Sequence, residues 1–138
     1  MRHLVREARL ENEVLVDSAG TGSWHVGEEP DRRARSAGRK RGIEVCGAAR
    51  QFQRGDFAKF DYVVAMDSAN YAELAELAPN AEARKKLYLL RSFDPASPKD
   101  ASVPDPYHGG AEGFDEVIEL SLAACRPLLE RIRRDHGL

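Results

Sequence analysis

The sequence has few cysteines and no long apolar run. Cys46 and Cys125 are the two cysteines among 138 residues, which is too few for a disulfide scaffold or a cysteine-ligated zinc site. No apolar stretch approaches the ~20 residues that span a bilayer. Free thiols are typical of proteins in a reducing compartment, so the expected location is cytoplasmic, with no membrane partner.

The chain also lacks a strong excess of either charge. With 21 basic and 23 acidic residues its formal net charge is -2, which gives no reason to expect a nucleic-acid partner. The four histidines show no spacing typical of metal ligands, so neither a metal nor a cofactor is expected. Hydrophobic residues make up 42% and charged residues 32%, which favours one compact domain over residues 1–138.

Helix-like and strand-like patterns alternate along the chain. Helices are predicted at residues 2–9, 31–41, 56–60 and 68–78, and a final helix is predicted from near Gly113. Short apolar runs predict strands at 14–16, 62–66 and 87–90. The middle run is continuously apolar, which is typical of a strand covered on both faces. Alternation of this kind predicts an α/β fold in which helices flank a parallel sheet.

Five short stretches stand in a distinctive order. They are 16–27 (VDSAGTGSWHVG), 49–51 (ARQ), 56–70 (DFAKFDYVVAMDSAN), 103–110 (VPDPYHGG) and 113–114 (GF). In this order and spacing they resemble the low-molecular-weight protein-tyrosine phosphatases, and the resemblance covers residues 2 to about 130. It implies a four-stranded parallel sheet in a three-layer sandwich. It also implies two-step hydrolysis of a phosphotyrosine protein or a small aryl phosphate through a cysteinyl-phosphate.

The resemblance implies a general acid and base at Asp105. A carboxyl on this proline-braced loop can protonate the leaving phenolate and then accept a proton from the attacking water. Tyr107 corresponds to part of the aromatic wall beside the substrate ring, and Trp24 to the opposite wall. His108 stands where the family usually has a second tyrosine, so it is expected to line the mouth without a catalytic role.

Two further positions, Asp17 and Ser18, correspond to residues that support the family's phosphate loop from beneath. That loop has the form C-x5-R-[ST] and opens the family's first helix. Its backbone N–H groups and arginine hold the phosphate dianion and stabilise the cysteine thiolate. By the resemblance, the first residues of this chain correspond to the middle of that helix. The nucleophile is therefore expected to be absent from the chain.

Neither cysteine present can replace the missing one. Cys125 and Arg131 have the C-x5-R spacing, but no glycine lies between them and no serine or threonine follows. Cys125 lies on the apolar face of the last predicted helix and is expected to belong to the core. Cys46 has Arg50 only four residues on, and is expected to be a half-buried loop thiol.

The resemblance places the missing first strand centrally, between the strands at 14–16 and 62–66. The chain is therefore expected to be inactive alone and to expose unpaired backbone at both neighbours. Three explanations stay open: a start assigned at an internal methionine of a longer active enzyme, an omitted segment, or a remnant that fills the gap by oligomerising or with a partner strand.

Two other functions remain as alternatives. A non-catalytic pseudo-phosphatase or interaction module would use the remaining surface. An arsenate reductase shares the fold, but it needs the cysteine loop and further redox cysteines, which Cys46 and Cys125 do not supply.

Overall fold

The computed structural model describes residues 1–107 and 109–138, and most of its regular structure is helical. In chain order the elements are α1 (Arg2–Glu7), α2 (Arg32–Arg39), α3 (Asp56–Lys59), β1 (Val63–Ala65), α4 (Ser68–Leu77), α5 (Ala81–Arg84), β2 (Leu87–Leu89), a 3-10 turn (Leu90–Phe93) and α6 (Ala111–His136). Each long helix lies within two residues of a predicted one. The short α5 and the 3-10 turn were not predicted.

Side-chain caps explain where three of the helices begin. The Asp31 carboxylate accepts a hydrogen bond from the Arg33 N–H at α2. The Asp67 side chain accepts a hydrogen bond from a backbone N–H at the start of α4, and the Asn80 side chain does so at the start of α5. Each cap satisfies a backbone donor that the first turn leaves without an intrahelical acceptor. Asp31 and Asp67 therefore define where α2 and α4 begin.

The sheet is parallel. β1 pairs with β2 in the register Val63↔Leu87 to Ala65↔Leu89, and α4 and α5 form the crossover between them. A parallel pair joined through helices is the α/β arrangement that the sequence predicts.

The predicted strand at 14–16 has no partner strand among the described residues, as the resemblance implies when the central strand is missing. This segment joins no ladder, and the parallel bridge nearest to it is Gly20↔Gln51. Val14 and Val16 pack partly buried against the core while Leu15 is exposed. The segment thus keeps the alternation of a strand without a partner strand. The physical reason is a groove that separates it from β1.

Two apolar clusters form the core. One packs the buried face of α6 against α1, Leu90 and Val103. The other packs α3, α4 and α5 around β1 and β2. Cys125 lies in the first cluster, so the prediction that it is a core residue is confirmed.

The last helix, α6, continues through Pro127 to His136, and Gly137 is its C-cap. Gly137 has φ +65°, the left-handed conformation that stops a helix at least cost when the residue is glycine. The predicted start near Gly113 lies two residues inside the helix.

Candidate functional site

A groove of about 600 Å³ opens between the 14–18 segment and β1. Its walls are mostly apolar, and Leu15, Val64 and Cys125 are among the residues that line them. Asp17 and Ser18 lie at its polar rim beside Arg50. Trp24, Asp105 and Tyr107 are not among its lining residues. The structure thus groups the predicted phosphate-loop supports in one place and the acid and aromatic residues elsewhere.

An ion-pair network fixes Asp17. Arg50 donates from Nε to the Asp17 carboxylate at 3.0 Å and from Nη1 to Asp56 at 2.9 Å. Arg2 lies 3.8 Å from the same Asp17 carboxylate. The Ser18 N–H also donates to Asp17, at 2.8 Å, so Asp17 orients its own backbone turn. Asp17 is thus held by Arg50, by Arg2 and by the Ser18 N–H.

Buried Asp56 anchors this network. Burial alone would raise the pKa of Asp56, but hydrogen bonds from Arg50 and from the Gln53 N–H outweigh it and hold the pKa below its usual value. The hydrogen bond from Arg50 to Asp56 in turn raises the pKa of Arg50. Arg50 therefore stays charged, and its guanidinium bridges the buried Asp56 carboxylate and the exposed Asp17 carboxylate.

Arg50 is the residue that sequence reasoning missed. It stands in the quoted stretch 49–51, but no role was predicted for it. The available signal was the pair of aspartates, Asp17 and Asp56, in neighbouring stretches of the same pattern. An arginine can donate from separate nitrogens to two carboxylates at once, which suits it to a position between two such aspartates.

Asp105 lies on an exposed loop that follows buried Val103. The Val103 N–H donates to the Met66 carbonyl just beyond β1 at 2.8 Å. The Asp105 carboxylate accepts from the Tyr107 N–H at 3.0 Å, which closes a turn around Pro106. A carboxyl held in such a turn has a defined direction, and Asp105 is exposed.

The loop is also packed closely against α6. A side chain at Gly113 would meet the Cβ atom of Pro106 at 3.2 Å, so glycine there permits the close approach. Tyr107 is 56% exposed. The Arg33 guanidinium lies over the Tyr107 ring, 5.8 Å from the ring centroid. His108, the third predicted residue of this loop, lies outside the described residues.

Trp24 is 77% exposed, which favours the predicted wall over a buried packing role. Its ring folds back over Gly22, where a Cβ atom would overlap it. Its ring also meets the His25 ring edge-on at 6.3 Å. An exposed indole braced in this way can offer an aromatic surface to a ligand.

The exposure of Cys46 differs from its prediction. Cys46 is exposed rather than half-buried, because it lies in the extended stretch after Gly42 and lines a shallow surface cavity with Arg35 and Arg39. Among residues 1–107 and 109–138, no group of histidine, cysteine or carboxylate side chains is arranged to hold a metal ion. Over the same residues, no helix is both long and apolar enough to cross a bilayer.

Comparison with known proteins gives a consistent result. The model of the family described as low molecular weight phosphotyrosine protein phosphatase matches residues 1–137. A low molecular weight protein-tyrosine-phosphatase of Streptomyces coelicolor is 44% identical over 133 residues, which cover 96% of this chain and 81% of that protein. A low molecular weight phosphotyrosine protein phosphatase of Sus scrofa is 36% identical, covering 96% and 83%.

The fold comparison agrees with the sequence comparison. The crystal structure of a protein tyrosine phosphatase from Entamoeba histolytica, with Hepes in its active site, superposes with a TM-score of 0.89. It is 35% identical and covers 99% of this chain and 85% of that one.

Proposed function

Because this chain belongs to the low molecular weight phosphotyrosine protein phosphatase family, we propose that it contributes the acid loop and the substrate walls for hydrolysis of phosphotyrosine or another aryl phosphate. The observation that carries the proposal is the Asp105 turn, in which the Tyr107 N–H directs one carboxylate oxygen of an exposed residue. The two free thiols support a cytoplasmic location.

In this reaction Asp105 acts twice. As a carboxylic acid it gives its proton to the phenolic oxygen while the phosphorus–oxygen bond breaks and a cysteine thiolate takes the phosphoryl group. As a carboxylate it then accepts a proton from the water that attacks the phosphocysteine, which releases inorganic phosphate and the thiolate. Trp24 and Tyr107 bind the aromatic ring, and Arg50 and Asp17 support the loop that holds the phosphate.

The thiolate is the part that these 138 residues do not supply. Exposed Cys46 lacks an arginine at the required spacing. Cys125 is only 7% exposed on α6, where no backbone N–H groups converge on an anion. The 138-residue chain alone is therefore expected to be inactive.

Turnover of p-nitrophenyl phosphate tests both the missing nucleophile and the role of Asp105 as the acid. We expect no turnover by the 138-residue chain, and turnover by a version extended at its amino terminus with a strand and a C-x5-R-[ST] loop of the family. In the extended version, Asp105→Asn should lower kcat by roughly 10²–10⁴-fold, because the proton donor is lost. Asp100→Asn, at an exposed position on the same connection, is the matched control and should keep full activity.

Two results would contradict the proposal. Turnover by the 138-residue chain that is lost in Asp105→Ala would show that the nucleophile is already present. Equal activity of Asp105→Asn and the unaltered extended version would remove Asp105 from the reaction.

The groove supports a second candidate function, a non-catalytic interaction role. Its apolar walls and the unpaired edges at β1 and the 14–16 segment suit the addition of a strand. We propose a second copy of the chain as the occupant, so that the 138-residue chain self-associates.

A further inference from the structure

The side chain of Arg33, on α2, contacts the backbone of the acid loop, which is the segment that contains and follows Asp105. Its Nη2 atom donates to the Tyr107 carbonyl at 2.8 Å and its Nη1 atom to the Gly109 carbonyl at 3.1 Å. These acceptors are 74 and 76 residues away along the sequence. One planar guanidinium therefore fixes two carbonyls on the segment that follows Asp105.

The guanidinium itself is held from below. The Asp31 carboxylate accepts from Arg33 Nε at 3.3 Å and from Nη2 at 3.2 Å, and the same carboxylate caps α2. The hydrogen bond from Arg33 also lowers the pKa of Asp31. The helix cap therefore determines the direction in which Arg33 projects.

Two aromatic rings complete the arrangement. The Arg33 guanidinium lies 4.7 Å from the Phe114 ring centroid and 5.8 Å from the Tyr107 ring centroid. Phe114 is buried on α6, so the cation bridges a core ring and the exposed ring of the substrate wall. Stacking of this kind favours a flat guanidinium over a lysine ammonium.

We infer that Arg33 is a positioning residue for the phosphatase reaction, which fixes the Tyr107 and Gly109 carbonyls and so sets the position of the Asp105 carboxylate. The link is short, because the Tyr107 N–H that directs Asp105 belongs to the same residue whose carbonyl Arg33 binds. This inference rests on the proposed role of Asp105 as the acid.

Arg33 has a matched control on its own helix. Arg35 has a similar exposed side-chain fraction, 37% against 39% for Arg33. Its ion pair is with Glu29 on the opposite flank. The same substitution at either position makes the same change of charge on the same helix, and only at Arg33 does it remove the contact with the acid loop.

The first measurement is backbone amide exchange in the 138-residue chain. We expect the Tyr107 and Gly109 N–H groups to exchange about tenfold faster in Arg33→Ala and in Arg33→Lys. Arg33→Lys keeps the charge but cannot donate to both carbonyls in the fork geometry. Arg35→Ala and Arg35→Lys should leave both rates unchanged. The inference is overturned if the exchange rates are unchanged in both Arg33 variants. It is also overturned if the rates in Arg33→Lys equal those of the unaltered chain.

The second measurement uses the extended, active version with two leaving groups. A displaced acid matters more for phenyl phosphate, whose leaving phenolate is the stronger base, than for p-nitrophenyl phosphate. Arg33→Lys should lower kcat/KM for phenyl phosphate about tenfold more than for p-nitrophenyl phosphate, whereas Arg35→Lys should lower neither. Equal losses on both substrates would overturn the positioning role.

The two arms separate this inference from the proposed function. If Asp105→Asn proves fully active, the proposed acid is wrong and the positioning role falls with it, even where amide exchange shows that Arg33 restrains the loop. If Asp105→Asn is impaired but Arg33→Lys behaves like Arg35→Lys in both arms, the acid stands and only the inference about Arg33 fails.

Discussion

At the residue scale, the Tyr62 hydroxyl connects the start of β1 to the end of α6. It donates to the Asp135 carboxylate at 2.8 Å and lies 3.2 Å from His136 Nε2. Burial and this hydrogen bond raise the pKa of Tyr62 from 10.0 to about 12. The bond joins residues 73 positions apart, so the last turn of the chain is fixed to the sheet by one phenol.

The raised pKa predicts a loss of stability at alkaline pH. A group whose pKa is higher in the folded state contributes fully below its unfolded pKa, so the contribution of Tyr62 should be present below pH 10 and disappear between pH 10 and about 12. Tyr62→Phe should lower the free energy of unfolding at pH 8 by roughly 1–3 kcal/mol and flatten the alkaline decline. Urea unfolding at a series of pH values measures both.

Tyr71→Phe is the control, because Tyr71 is an exposed tyrosine on α4. It should keep the alkaline decline of the unaltered chain. A decline of the same size in Tyr62→Phe would show that another group causes it.

At the element scale, the end of α6 depends on one backbone conformation. Gly137 stands at φ +65° with open space around the position of a Cβ atom, so an added methyl group would cause backbone strain but no clash. Gly137→Ala should therefore destabilise the chain by about 1 kcal/mol. Thermal or urea unfolding measures the change.

Gly55→Ala is the matched substitution for this prediction. Gly55 also has open space, but its φ is -64°, which alanine adopts without strain. It should be neutral or slightly stabilising, because alanine restricts the unfolded chain. An equal loss at Gly55 and Gly137 would contradict the conformational explanation.

The elements could be predicted where local chemistry determines them. Asp31 and Asp67 stand at the starts of predicted helices and cap α2 and α4, because capping depends on a few neighbouring residues. The segment at 14–16 shows the alternation of a strand, but the sequence alone does not fix its pairing, which depends on a distant neighbour. The Arg33 contacts escaped prediction for the same reason, because they join residues more than 70 positions apart.

At the scale of the whole molecule, the groove divides the fold. The 14–18 segment and β1 line opposite sides of it, and exposed Leu15 adds apolar surface to one side. Solvent contact with apolar walls and with unpaired strand edges is unfavourable. A second copy that inserts an extended segment would cover both.

We therefore expect the 138-residue chain to self-associate. Sedimentation velocity should show species at multiples of 15.3 kDa that grow with concentration. Leu15→Glu should shift the chain to a monomer, because it places a charge on the apolar wall. Val26→Glu, at an exposed position that does not line the groove, should leave association unchanged.

A concentration-independent monomer in the unaltered chain would contradict self-association. Loss of association in both variants would show that added charge, rather than the groove, is responsible.

The position of Cys125 also gives the molecule a built-in chemical reporter. Cys125 is among the residues that line the groove yet is buried, while the other cysteine, Cys46, is exposed. A thiol-specific reagent therefore reacts with Cys46 at once. It reacts with Cys125 only when α6 moves and the groove opens, or when the chain unfolds. The slow phase of labelling measures how often that wall opens, and any segment that occupies the groove must slow it.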